Sequence, residues 1–469
     1  VSSGSMSQNT MQIKPNYSLA DLSSEDLLQR LVPRSLATPN QLLRSTLLQA
    51  VDGFNLQAVY PAHCLLDLQK LNSGGTDWRA RSPDYRRSLL RDLKIQSLPA
   101  LPGILSMPLC VDLSYVEGDW VFIESGNPEK LLRFTKEEYQ SLTEAAEAEQ
   151  DKFSLPLTET KPNLDHPHRD ESEIRSAVEA ITQQRVRARL SESIEIAPLP
   201  LSSQHLLSLK SKEDVSGTEL ANVIEMDPSL ASQVISWANS PYYGAPGSIR
   251  SIQDAVIRVL GFDLTMNLAL GLALSKQIRL PKDGVHGHKH FWRDALLRAL
   301  LVEKFVKKMP PLARPYTGLA YLAGLLHNFG YLVLAEIFPP YFSLYCRNQE
   351  ANPHVPSMYL ERFLFGITRE QIASYLFTTW SLPNEMCIAI RQQHNPHYTG
   401  EHFKYANLLY LAEQYLQPSW EQGLTRIPSA VYDRLQLTPE DALEVRQELE
   451  ELPSDQMEDL VRLLDTTKR

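Results

Sequence analysis

At 469 residues the chain exceeds one ordinary domain core, so about two to four units are expected at roughly 100–200 residues each. Apolar residues make up 43% and charged residues 22%, which excludes a largely disordered chain, and no run approaches the roughly 18–20 uninterrupted apolar residues of a membrane span. A net charge of −10 argues against indiscriminate binding to nucleic acid, whose phosphates demand a basic surface.

In chain order, Val1-Ser-Ser-Gly-Ser5 reads as a cloning remnant, with Met6 as the natural start, and residues 1–18 are expected to be unstructured. No basic segment followed by an apolar stretch opens the chain as a secretion signal would, so a cytoplasmic location with no membrane association is expected. Residues 19–31 suit a short amphipathic helix, and Leu31-Val-Pro-Arg-Ser35 looks like an engineered protease site but sits between native segments. Leu42–Gln49, Asn55–Tyr60, Leu109–Leu113 and Trp120–Glu124 alternate as strands do, with turns at Asp52-Gly53 and Glu117-Gly118-Asp119. Helices over about 82–94 and 135–150 lie between or after them, which makes residues 19–150 a mixed α/β domain.

Lys152–Asp170, with three prolines among polar residues, lacks periodicity and reads as a linker; a connecting helix follows over Glu171–Leu190. From residue 191 to 420 the pattern is helical almost throughout. Asp227-Pro228 supplies an N-cap and an N1 proline for a helix running to Asn239, and Gly261 and Gly330 punctuate later ones. No heptad persists, so an all-α bundle of short helices is expected rather than a coiled coil. Residues 421–469 form a tail with two acidic amphipathic helices, which could dock on the bundle or mediate a homodimer. The fold class is therefore α+β overall. The four cysteines are far apart and read as reduced, buried thiols.

The second half resembles the HDOD family, helical domains related to the HD phosphohydrolases. The resemblance rests on Leu199-Pro200, Ile224-Glu-Met-Asp227-Pro228-Ser-Leu230, Trp237-Ala-Asn239-Ser240-Pro-Tyr-Tyr-Gly244, Ile252–Gly261, Phe365-Gly-Ile-Thr368 and Trp380-Ser-Leu-Pro383. It implies a central metal site in the catalytic relatives, and here that site is altered. Leu322–Leu332 carries His327-Asn328 where those relatives carry His-Asp; Asn offers a neutral oxygen that cannot neutralise a cation. Upstream, Asp294 stands near an expected His, and downstream Arg369 takes the place of another; a guanidinium never ligates metal at neutral pH. His394 survives of what is often a pair. Asp294, His327, Asn328, Arg369 and His394 are thus candidates for a vestigial site, with no catalytic residue, metal or cofactor expected.

The first half resembles the YbaK-like aminoacyl-tRNA deacylases and editing domains. The match is carried by Leu98-Pro-Ala-Leu-Pro102-Gly103-Ile104, Pro108-Leu-Cys-Val-Asp112, Val121-Phe-Ile-Glu-Ser-Gly126-Asn127 and Ala58-Val-Tyr-Pro61. Where such enzymes place a lysine, this chain has Ser45 in Ser45-Thr46-Leu47-Leu48. Losing that cation removes a charge-assisted contact of about 1.5–3 kcal/mol. Ser45, Thr46, Pro102, Gly103, Asp112 and Gly126 are the pocket candidates, with Arg44 and Lys94 as conceivable substitute cations. Arg79, Arg81, Arg86, Arg87, Arg91 and Lys94 could form a basic groove for tRNA, although one solvated helix face is the simpler reading.

His286-Gly-His288-Lys-His290 reads as an exposed polar loop rather than a metal site, and Phe338, Tyr341, Phe342 and Tyr345 as core packing. No nucleophile elbow or phosphate-cradling Gly-rich loop is present. The expected function is a non-catalytic bacterial signalling or scaffolding protein, partnered by signalling proteins or a small second messenger. The alternatives are an aminoacyl-tRNA deacylase or binder in the first half and a metal-dependent phosphohydrolase in the second.

Overall fold

The structure is a computed structural model describing residues 25–71, 77–105, 107–188, 201–210, 212, 214–245, 247–275, 288–337, 339–380, 382–417 and 427–464. Residues 1–18, Leu199-Pro200, Phe338 and His286 lie outside the described residues. Two compact units emerge: Val1–Lys161 with Leu344–Phe363, and Pro162–Ser343 with Leu364–Arg469.

The first unit is mixed α/β, as its alternating pattern implies. It runs α1 (Glu25–Gln29), β1 (Leu31–Pro33), β2 (Leu43–Ala50), β3 (Asn55–Pro61), β4 (Cys64–Leu66), α2 (Leu68–Leu71) and β5 (Trp78–Ala80). There follow α3 (Pro83–Asp92), β6 (Leu109–Val111), β7 (Trp120–Glu124), β8 (Lys130–Thr135), α4 (Lys136–Ala145), β9 (Glu149–Gln150) and β10 (Ser154–Pro156). Five strands form a sheet in the order β5-β2-β3-β6-β9, with β1-β8-β7 and β10-β4 as smaller sheets. The central hairpin β2–β3 is apolar on both faces: Leu43, Leu47 and Val59 enter one cluster, Leu48, Ala50, Leu56, Ala58 and Tyr60 the other. Its turn needs Gly53, whose φ of +91° is open only to glycine at no steric cost.

Several readings change. Leu31, expected to end a helix, instead begins strand β1, paired with β8 through Leu31↔Leu132. The expected linker Lys152–Asp170 contributes β10, because its backbone finds partners on β4, with Leu155 opposite Leu65. The helix expected over 135–150 ends at Ala145, and Glu149–Gln150 joins the sheet edge beside β6.

Residues 344–363 fall in the first unit although their sequence is helical: α14 (Pro339–Ala351) ends there and α15 (Ser357–Phe365) begins there. The fully buried Asn352 explains the placement. Its Oδ1 accepts from the Leu66 N–H at 2.6 Å and its Nδ2 donates to the Leu66 carbonyl at 3.0 Å, completing the edge of β4. Asn352→Ala strands both backbone groups away from water, and urea unfolding is expected to show a loss of about 2–3 kcal/mol.

The second unit is all-α among the described residues. Its helices are α5 (Asp170–Ala188), α6 (Leu201–Lys210), α7 (Gly217–Glu225), α8 (Pro228–Ala238), α9 (Ile252–Ala255), α10 (Gly261–Ser275), α11 (His288–Lys308), α12 (Thr317–Leu326) and α13 (Phe329–Ile337). After α14 and α15 come α16 (Arg369–Thr379), α17 (Asn384–Gln392), α18 (Phe403–Leu416), α19 (Ser429–Leu435), α20 (Pro439–Glu450) and α21 (Ser454–Leu464). Asp227 caps α8 by accepting from the Leu230 N–H at 3.0 Å, and Asn239 at its far end bonds both backbone groups of Ile249. The tail helices α20 and α21 pack on α11, where Glu448 and Glu444 pair with Lys304 and Lys308 at 2.6 and 2.7 Å.

Ile252–Leu274 and Thr317–Glu336 are long and apolar enough on average to cross a membrane, but 94% of the most apolar window of the second is buried within the fold. They are the helices around which this unit packs. Phe342 and Tyr345 are buried as expected, and His290 is exposed, though on α11 rather than in a loop. All four cysteines are free and buried.

Candidate functional site

The altered His-Asn pair lies where α12 gives way to α13. His327 ends α12, and its ring is buried between two acceptors: Nδ1 lies 2.8 Å from the Gly324 carbonyl and Nε2 lies 3.2 Å from an Asp294 carboxylate oxygen on α11. Burial first, and the Arg298 charge second, hold the His327 pKa below the ordinary histidine range against the pull of Asp294. A neutral ring carries one N–H, so it satisfies one of these acceptors at a time. The His327 carbonyl takes the Gln393 amide at 3.0 Å, tying the site to the end of α17.

Asn328 meets a cation supplied by the chain itself. Arg369, the first residue of α16, donates to Asn328 Oδ1 at 2.6 Å, and its guanidinium lies 5.5 Å from the Tyr331 ring centroid. Gly330 makes the approach possible. A Cβ there would lie 1.9 Å from the Arg369 carbonyl oxygen, so this glycine serves close helix packing and not merely helix punctuation.

His394 is enclosed by acids that the sequence reading had not singled out. Its Nδ1 lies 2.7 Å from Glu413 Oε2 and its Nε2 lies 3.0 Å from Glu370 Oε1. Burial by itself disfavours the imidazolium, but Glu413 and Glu370 outweigh it and raise the pKa. Burial likewise opposes ionised Glu370 and Glu413, and the His394 charge outweighs it, lowering both. The raised histidine contributes stability fully below its unfolded pKa near 6.5 and loses it as pH climbs through the higher folded value. The depressed glutamates contribute above about 4.5 and lose it as pH falls through their lower folded values. Urea unfolding against pH is therefore expected to give a plateau from about 4.5 to 6.5 with losses on both sides, and His394→Gln should flatten the alkaline limb.

Metal donors do not converge here. His327 faces Asp294, Asn328 faces Arg369, and His394 is held between two glutamates. Among the described residues no group of three or more His, Cys, Asp and Glu side chains is placed to hold one metal ion. Arg298, Glu370, Gln393 and Glu413 were missed by motif reasoning. The available signal was polarity inside apolar helices, since Glu413 follows the apolar run Leu408–Ala412 and Arg298 follows Asp294 by one helical turn.

Comparison with known proteins places the helical unit in a family. The HDOD domain model matches residues 196–396. A solved protein of Marinobacter aquaeolei VT8, assigned to signal transduction, is 38% identical over 95% of this chain and 99% of its own, with a TM-score of 0.83. The chain belongs to the HDOD family. An HDOD domain protein of unknown function from Geobacter sulfurreducens shares the fold at 22% identity and a TM-score of 0.51, covering 62% of this chain and 98% of that one. An uncharacterised protein of Treponema pallidum (strain Nichols) is 23% identical over 221 residues, 47% of this chain and 42% of its own length, so the match spans less than half of that curated relative.

Outside the HDOD module, the six candidates of the first unit do not form one pocket, which corrects their grouping. Adjacent strand residues face opposite ways, so Ser45 and Thr46 separate. Ser45 accepts from Gln57 Nε2 at 2.7 Å, and that amide also reaches the Pro99 carbonyl at 2.9 Å; Thr46 pairs with the Tyr60 hydroxyl at 2.9 Å. Arg44 sits beside Tyr60 on the face away from Ser45, and Lys94 is exposed beyond α3, so neither replaces a cation at Ser45. Asp112 is fully buried and accepts from the N–H groups of Ser114, Phe153 and Ser154 and the Ser154 hydroxyl, at 2.8–3.0 Å. It secures β10. Gly126 shapes a turn at φ +90° against Ile95. Pro102 and Gly103 line a cavity of about 370 Å³. The arginines of α3 are exposed, Arg87 pairing with Asp84, and the half-buried Arg81 just before the helix lies over the Tyr85 ring.

Proposed function

We propose that this is a non-catalytic regulatory protein of bacterial signalling, working in the cytoplasm, whose HDOD module binds or scaffolds a partner: a signalling protein or a small second messenger. One observation carries the reading: the Arg369 guanidinium is bonded to Asn328 Oδ1, so a fixed cation with no Lewis acidity occupies the oxygen that a metal would need. The assignment of the Marinobacter relative to signal transduction supports the same class of role. Against aminoacyl-tRNA hydrolysis in the first unit stands Ser45, whose hydroxyl is spent on a buried glutamine where the family would present a cation.

The test is elemental analysis with thermal unfolding across Mg²⁺, Mn²⁺, Fe²⁺ and Zn²⁺. The expected result is no stoichiometric metal and no midpoint shift, since ligand-linked stabilisation requires a site that only the folded state offers. A stoichiometric metal that disappears in His327→Ala would overturn the reading and restore the phosphohydrolase alternative.

A further inference from the structure

We propose that the cavity at one end of the five-stranded sheet in the first unit binds a small organic cation, an amine or guanidine bearing an aryl or alkyl group. The inference is independent of the HDOD reading, which survives its failure. The cavity, about 370 Å³, falls within the size range of small-molecule sites. Its apolar side holds Trp78, Leu109 and Phe54, and its rim carries Glu147, Glu149 and Asp151; among the described residues that line it, none is basic.

The two features ask for different parts of one ligand. Phe54 and Trp78 form a corner with ring centroids 6.2 Å apart and planes tilted by 53°. Phe54 is 51% exposed, so much of its ring remains open to a ligand. Aromatic rings attract cations through their negative faces and take up the apolar body of an aryl amine. The three carboxylates share one sign, and the field of two of them reaches inward: burial first, then Glu149 and Asp151, push the Cys110 thiol up to about 12. An anion such as an RNA phosphate is repelled there, whereas an ammonium gains from every rim residue. Charge on the short edge strand β9 also guards against strand pairing, but that role needs neither the cavity nor the exposed aromatic ring beside it.

Isothermal titration of the full chain with 2-phenylethylammonium, 2-phenylethanol and 3-phenylpropionate tests the proposal. The ammonium is expected to bind at least ~10-fold more tightly than the alcohol, with no detectable binding of the carboxylate. Glu149→Gln with Asp151→Asn should weaken the ammonium about 10-fold without moving the melting temperature, and Phe54→Ser should weaken it by about 3-fold or more. Equal affinity for amine and alcohol, an unchanged double variant, or no heat up to ~10 mM amine, the range of the weakest specific complexes, would overturn it.

Discussion

His394→Leu is expected to lower the stability of the second unit by about 3–5 kcal/mol, because it leaves the buried Glu370 and the half-buried Glu413 without their shared cation. That imidazolium is the largest influence holding both carboxyls below the ordinary range. Without it, burial pushes both carboxyls up and the Glu370 charge adds to this at Glu413, opposed by Arg369 at Glu370 and by Arg298 at Glu413. By calorimetry the midpoint of this unit should fall by about 10 °C, at roughly 2–4 °C per kcal/mol for domains of a few hundred residues. The triple change His394→Leu, Glu370→Gln, Glu413→Gln should recover much of the loss, since replacing a whole buried ionic group costs far less than halving it. A single variant as stable as the parent, at pH 6 and low salt, would mean that the three side chains contribute no net coupling.

Gly330→Ala should be the most damaging single-methyl insertion near the site. Its Cβ would fall 1.9 Å from the Arg369 carbonyl oxygen and 2.9 Å from the Arg369 Cα, and both contacts are backbone. No rotamer change relieves them, so α13 and α16 must separate, at a cost of about 3 kcal/mol or more, the upper end of overpacking penalties. The separation also carries Arg369 away from Asn328. Urea unfolding should therefore show the loss together with faster hydrogen exchange at the start of α16, whereas Gly400→Ala, whose tightest contact is the movable Tyr398 ring, should exchange like the parent there. Should Gly330→Ala unfold at the parental urea concentration, the close packing of these helices is softer than drawn.

Much of the fold could be read directly. Alternation placed β2, β3, β6 and β7, helical periodicity placed the bundle, and Asp227-Pro228 began α8 where capping chemistry requires. The six-residue β8 was missed, and so were the short strands β1, β4, β5, β9 and β10, whose two or three residues carry no period of their own. They exist through partners distant in sequence, as β10 does through Asp112 and β4 does through Asn352. The same limit divided the candidate sites. Asn328 and Arg369 were visible as departures from a motif, but their bond was not; Glu413 drew no notice until it lay 2.7 Å from His394.

Composition and periodicity by themselves determined an α+β chain with a helical second half, and the residues at 327, 328 and 369 were legible as departures from the motif of the family it resembles. Those are properties of residue types and local spacing, which the linear chain already contains. Tertiary structure decided which charges neutralise one another, how 344–363 divides from the helices around it, and that Ser45 and Thr46 look into opposite cores. Pairing energies depend on distance and burial, and neither exists until the chain has folded.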